Sequence, residues 1–282
     1  MTHPLMVEAI ETLFVPVLIH NNKPGKDAEI LKQYSEPSWN NPVIRYLDSN
    51  GKDVLARKDG LWTTGATATR MVAALKAAKH KVPAYLQLVA DEHTPNVAQA
   101  TFAMHCYWVG EVNLGAINGV LKTHAGWIGK KEIVRVFYNP NVVNYETLLK
   151  TARKLECAST VFIHNAAQMK IAKSLVGEDA VPLPGKSEQR RVRYTEEKYH
   201  LRRQPPLRYL PLTQIQLVKV NSAVMGGKDH RVFLSPRQRE LQKRIAAALK
   251  VDQKRFEGLT VPESATKLTQ YSEKLTKLLA KR

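Results

Sequence analysis

Two cysteines, Cys106 and Cys157, are the residues of this chain most able to do covalent chemistry. Their separation fits neither a CxxC pair nor a metal-ligand spacing, so each is weighed on its own surroundings. Cys106 stands in the run Thr101-Phe102-Ala103-Met104-His105-Cys106-Tyr107-Trp108, which ends a strand pattern just before a helix pattern. A thiol at such a junction meets unpaired backbone N–H groups and the positive end of the helix dipole, both of which favour thiolate. His105 adds positive character beside it, and Tyr107 and Trp108 can wall a small apolar pocket. This is the setting of a redox-active cysteine. The alternative for either thiol is that of a buried, inert apolar side chain.

The elements around Cys106 alternate. The pattern predicts strands over 98–103, 132–138 and 160–164, and helices over 110–121, 144–155 and 166–176, an α/β unit. An earlier unit reads as strand 12–20, helix 26–34, strand 42–47, a turn at Asp48-Ser49-Asn50-Gly51, strand 52–57, helix 66–79 and strand 81–92. After Gly177, Pro182, Pro184, Pro205, Pro206 and Pro211 break the pattern, and helices are expected over 236–251 and 265–281. Residues 204–211 read as an extended segment packed on a surface. The resulting division is 1–92, 97–178 and 179–282.

From His105 to Trp108 the chain resembles the A-type peptide methionine sulfoxide reductases, whose strand ends in Gly-Cys-Phe-Trp. The likeness continues through Ile117-Asn118-Gly119-Val120-Leu121, Thr123-His124-Ala125-Gly126-Trp127, Gly129-Lys130-Lys131-Glu132-Ile133-Val134-Arg135-Val136, Asn139-Pro140 and Asn144-Tyr145-Glu146-Thr147-Leu148-Leu149. The resemblance implies a ferredoxin-like α+β domain without a cofactor. It implies Cys106 as nucleophile, Tyr107 and Trp108 as the walls for the substrate methyl group with His105 beside them, and Glu132 as the acid that protonates the sulfoxide oxygen. That acid must be protonated, which burial beside two aromatic rings favours. The implied partners are a methionine sulfoxide-containing peptide or protein and an external thiol reductant such as thioredoxin. The family's glycine- and tyrosine-bearing substrate loop is absent between Trp127 and Gly129, and its later Asp-His-Gly-Thr-Gln-Tyr segment is replaced by Leu155-Glu156-Cys157-Ala158-Ser159-Thr160. That replacement makes Cys157 a candidate resolving thiol, able to condense with an oxidised Cys106 if the two Cα atoms lie within about 7 Å. The stretch Asn40–Val54 is similar to the proline-led strand and hairpin of a thioredoxin fold, with Pro42 as its cis-proline. No CxxC accompanies it, so the first unit is expected to be a thioredoxin-like scaffold or docking domain.

Charge is concentrated at the C-terminal end. The chain carries +18, and residues 181–282 hold 23 Lys and Arg against nine Asp and Glu. This basic, partly helical extension has two readings. It wraps back on the redox domain, or it offers Arg190, Arg191, Arg193, Arg202 and Arg203, interleaved with Tyr194 and Tyr199, to an anionic partner such as nucleic acid. A catalytically inactive interaction protein is a further alternative to the enzyme reading. No apolar run reaches the length of a membrane span, and no signal-peptide pattern opens the chain, so a cytoplasmic location is expected.

Overall fold

The computed structural model describes residues 3–262 and 265–280. The chain divides into two compact units, one ending at His93 and the other beginning at Thr94.

The first unit contains α1 (Pro4–Leu13), α2 (Lys26–Gln33), β1 (Val43–Ile44), β2 (Lys58–Asp59), α3 (Thr64–Ala77) and α4 (Ala84–Glu92). Its core is helical, built from Leu5, Met6 and Ala9 of α1, Met71 and Leu75 of α3, and Leu86 and Val89 of α4. This corrects two expected strands. Residues 12–13 close α1, and 15–20 are irregular, with Val15, Val17 and Leu18 exposed. A strand needs a neighbour to pair its backbone, and the described residues of this unit form only the two-stranded β1–β2 sheet. The second expected strand is α4, where Tyr85, Leu86, Leu88 and Val89 fall on one buried face at helical spacing. The multi-stranded sheet of a thioredoxin-like domain is therefore not formed among the described residues. The hairpin is partly as expected. Asn41–Pro42 is cis, Leu47 bridges Asp53, and the Asp48 carboxylate accepts the N–H groups of Asn50 and Lys52. The return strand falls at 58–59 instead of 52–57.

The second unit contains β3 (Ala98–Met104), α5 (Tyr107–Ala116), β4 (Val120–Ile128), β5 (Lys131–Tyr138), α6 (Tyr145–Lys154), β6 (Thr160–Ile163), α7 (Ala166–Val176), β7 (Ala180–Pro182), β8 (Gln189–Arg191), α8 (Tyr199–Arg202), α9 (Pro205–Arg208), α10 (Gln214–Met225), α11 (Pro236–Val251) and α12 (Ala265–Ala280). The strands form one sheet in the order β7-β6-β3-β5-β4-β8, antiparallel except for the β6–β7 pair. Strand alternation decides which side chains meet the helices. Ala100, Phe102 and Met104 of β3, with Val134, Val136 and Tyr138 of β5, join Leu114 of α5 and Leu148, Leu149 and Ala152 of α6 in the main core. The odd-numbered Ala103 and Ile133 face the other side, in a small cluster with Ile128 and Phe162.

The C-terminal segment is built into this unit. Strand β8 extends the sheet beside β4, pairing Gly126 with Arg191 and Trp127 with Arg190. A Cβ on Gly126 would lie 2.6 Å from the Arg190 carbonyl oxygen, so glycine is what lets β8 approach. Gly126→Ala is expected to cost about 1–3 kcal/mol, as overpacking does, lowering the urea midpoint and raising protease sensitivity near residue 190. Residues 204–211, expected to be extended, instead form α9 and its exit, with Leu207, Tyr209 and Leu210 inside a second core of α10, α11 and α12 side chains. Helix α10 was missed because it is buried nearly all round and so lacks a polar face. It packs on α5, where the Lys219 ammonium donates to the Gly115 and Ile117 carbonyls at 2.8 Å each and the Ser222 hydroxyl to Val112 O at 2.8 Å. Residue 281, within the last expected helix, lies outside the described residues. No helix among the described residues is long and apolar enough to cross a membrane.

Candidate active site

Strand β3 ends at Met104 and α5 begins at Tyr107, which makes Cys106 the residue that caps α5. Its backbone is extended and its side chain caps no helix N–H. The thiol is free and half-buried, and His105 beside it is exposed.

Glu132 arrives by register. It pairs across β3–β5 with Met104 and shares the face of Val134 and Val136, the face that α5 covers. One carboxylate oxygen accepts the backbone N–H of Tyr107 at 2.7 Å. That oxygen takes up one of the N–H groups that the first turn of α5 leaves unpaired, and the buried Lys219 ammonium on the Gly115 and Ile117 carbonyls complements the other end of the helix. The acid thus reaches the residue directly after the thiol.

Aromatic rings follow in a chain. Tyr107 meets Trp108 edge-on at 5.9 Å and Trp127 of β4 edge-on at 6.0 Å, while Trp108 is stacked by Tyr199. Burial pushes the Tyr107 hydroxyl up, and the charges of Glu196, Glu132, Cys106 and Glu111 add to this. Glu196 and Tyr199 come from the C-terminal segment and were not legible as site residues. The available signal was Glu111, a lone acid amid Val109, Gly110, Val112 and Leu114. An acid on an apolar helix face demands a partner from elsewhere.

That partner is Lys198. Its ammonium pairs with the Glu111 carboxylate and donates to Thr123 O at 2.9 Å, and its backbone N–H donates to Glu111 at 2.6 Å. The Thr123 hydroxyl donates to the same carboxylate at 2.9 Å. Alongside, Glu197 accepts from the Arg191 guanidinium at 2.6 and 2.7 Å and pairs with His124 at 3.3 Å. Burial acts to raise the Glu197 carboxyl, but Arg191, His124 and Lys198 outweigh it and hold it at about 2. A depressed carboxyl stabilises the fold above its ordinary value of 4.5 and loses that contribution as pH falls toward 2. Urea midpoints measured from pH 6 downward are expected to fall in that window, with Glu197→Gln flattening the drop.

Cys157 is elsewhere. It is 2% exposed in the main core, donates to Leu155 O at 3.2 Å and accepts from the Asn113 amide at 3.6 Å. Asn113 lies seven residues into α5, about 10 Å along the helix from its N-terminal end, and burial pushes the Cys157 thiol up. Such a sealed, hydrogen-bonded thiol suits packing better than disulfide exchange. The arginines considered for an anionic partner also have neighbours. Arg190 lies over Trp127, Arg202 over Tyr194 at 3.4 Å and Arg203 over Tyr199.

Known proteins are similar to part of this chain. A peptide methionine sulfoxide reductase MsrA of Geobacter metallireducens is 32% identical over 21% of the chain and 47% of its own length. A Drosophila melanogaster peptide methionine sulfoxide reductase is 29% identical over 30% of the chain and 45% of its length. The MsrA 1 of Rhodopirellula baltica is 27% identical over 50% and 94%. The chain thus spans about half the length of most of these curated relatives. Among solved structures, methionine sulfoxide reductase A of Corynebacterium diphtheriae is 16% identical, covering 44% of the chain and 83% of its own, with a TM-score of 0.34. Saccharomyces cerevisiae Mxr1 is 19% identical over 40% and 86%, with a TM-score of 0.29. No family model matches the chain. Part of this chain is thus similar in sequence to peptide methionine sulfoxide reductases of the A type.

Proposed function

We propose that this chain is a thiol-dependent oxidoreductase that reduces methionine sulfoxide, in a peptide or protein, at Cys106. The observation that carries the reading is the Glu132 carboxyl bonded to the Tyr107 N–H, beside a half-buried thiol at a helix N-terminus. The Cys106 thiolate attacks the sulfoxide sulfur while Glu132 delivers a proton to the sulfoxide oxygen. The oxygen passes to the cysteine sulfur, leaving the methionine thioether and a Cys106 sulfenic acid. Tyr107 and Trp108 hold the methyl group, and Trp127 backs Tyr107. An external dithiol then attacks the sulfenic sulfur, releasing water and forming a mixed disulfide, and its second thiol resolves that bond to regenerate Cys106. Dithiothreitol or a thioredoxin-like donor supplies both thiols, so Cys157 has no part in the cycle.

The test is an assay of methionine formation from free and peptidyl methionine sulfoxide with dithiothreitol. Turnover at the rate of a protein-free control would remove the reductase reading.

A further inference from the structure

The substrate loop that the family carries ahead of its acid is missing between Trp127 and Gly129, yet the Trp108 indole is not left open. Tyr199 lies flat on it, with ring centroids 3.9 Å apart and planes 16° from parallel. Stacked rings this close form a solid wall. The wall is also anchored from both sides along its own chain. Lys198, the preceding residue, is buried against Glu111 and Thr123. Leu201, two residues on, is fully buried in the helical core, and its N–H donates to the Asn221 side chain at 3.1 Å. Arg203 lies over the Tyr199 ring at 5.2 Å. Opening such a segment would uncover a buried ion pair and a core leucine together, so the ring is a fixture and not a swinging lid.

We propose that Tyr199 is a specificity-determining residue of the Cys106 site: a fixed ring that walls its Trp108 side, admits slim methyl sulfoxides and excludes sulfoxides bearing a bulky group in place of the methyl. The substrate class rests on the reductase reading above, whereas the wall itself does not. Cys106 reactivity therefore tests it without turnover.

The full chain is alkylated with iodoacetamide and with the bulkier N-phenylmaleimide, and labelling at each cysteine is followed by peptide mass. In Tyr199→Ala the maleimide-to-iodoacetamide rate ratio at Cys106 rises about tenfold, the scale on which apolar pocket walls discriminate. In Tyr199→Phe, which keeps the ring, it stays at the wild-type value. Cys157 remains unlabelled and reports an intact core. Tyr199→Leu, which keeps apolar volume, supplies the comparison should Tyr199→Ala expose Cys157. An unchanged ratio in the variant with the sealed core overturns the proposal, as does failure of both reagents to label Cys106 in every variant. Turnover of methyl against benzyl sulfoxides separates the two readings. A shifted alkylation ratio without turnover of either sulfoxide sinks the reductase reading and keeps the wall. An unshifted ratio with normal methionine sulfoxide turnover sinks the wall alone.

Discussion

On the proposed reading, Cys106→Ser is expected to abolish dithiothreitol-dependent reduction of methionine sulfoxide, a loss of at least about a thousandfold, because a hydroxyl cannot accept the oxygen as a thiolate does. The thiol caps no helix N–H and sits half-buried, so serine fits the same space and the fold is expected to persist. Glu132→Gln provides the graded comparison. Its amide oxygen can still accept the Tyr107 N–H, which preserves the start of α5, but it has no proton to deliver. The expected loss is about a hundredfold or more, the usual scale for removing a general acid. Cys157→Ala, by contrast, is expected to leave turnover with dithiothreitol intact, since that thiol is sealed in the core and bonded to Asn113 and Leu155. Rates that fall equally in Cys106→Ser and Cys157→Ala would point to a two-cysteine cycle instead.

The second large effect concerns stability. Lys198→Met removes the ammonium from a site where the side chains of both partners are almost wholly buried, leaving the Glu111 carboxylate without its counter-charge. Breaking one partner of a buried pair costs about 3–5 kcal/mol, far more than losing a surface ion pair. The expected readout is a large drop in urea midpoint with an unchanged m-value. Adding Glu111→Leu should recover much of that loss, because an apolar pair of similar volume leaves no uncompensated charge. A single variant within about 1 kcal/mol of wild type would mean that water reaches the pair. Since Lys198 adjoins Tyr199, the loss should also alter Trp108 fluorescence through the stacked rings.

Much of the central domain was legible locally. The strand before Cys106, the strand carrying Glu132 and the helices at Tyr145–Lys154, Ala166–Val176 and Pro236–Val251 all follow from hydrophobic periodicity and capping. Asn144, Asn165 and Ser235 each accept a backbone N–H at the start of those helices, which is chemistry written in adjacent residues. Strand β4 was less plain, because a bulge between Val120 and Lys122 interrupts its alternation. The first unit misled for a related reason. The apolar residues over 12–20 look like a strand, but strand formation depends on a partner that no local pattern specifies.

What the sequence determined by itself, then, was a thiol at a strand–helix junction and an acid whose strand phase turns it toward the same helix. Both are consequences of short-range periodicity. Only the tertiary structure decided that the basic C-terminal segment joins the sheet, neutralises Glu111 through Lys198 and lays Tyr199 over Trp108. Those contacts span many tens of residues, and they form because a buried charge and an open aromatic face are costly until something distant in the chain covers them.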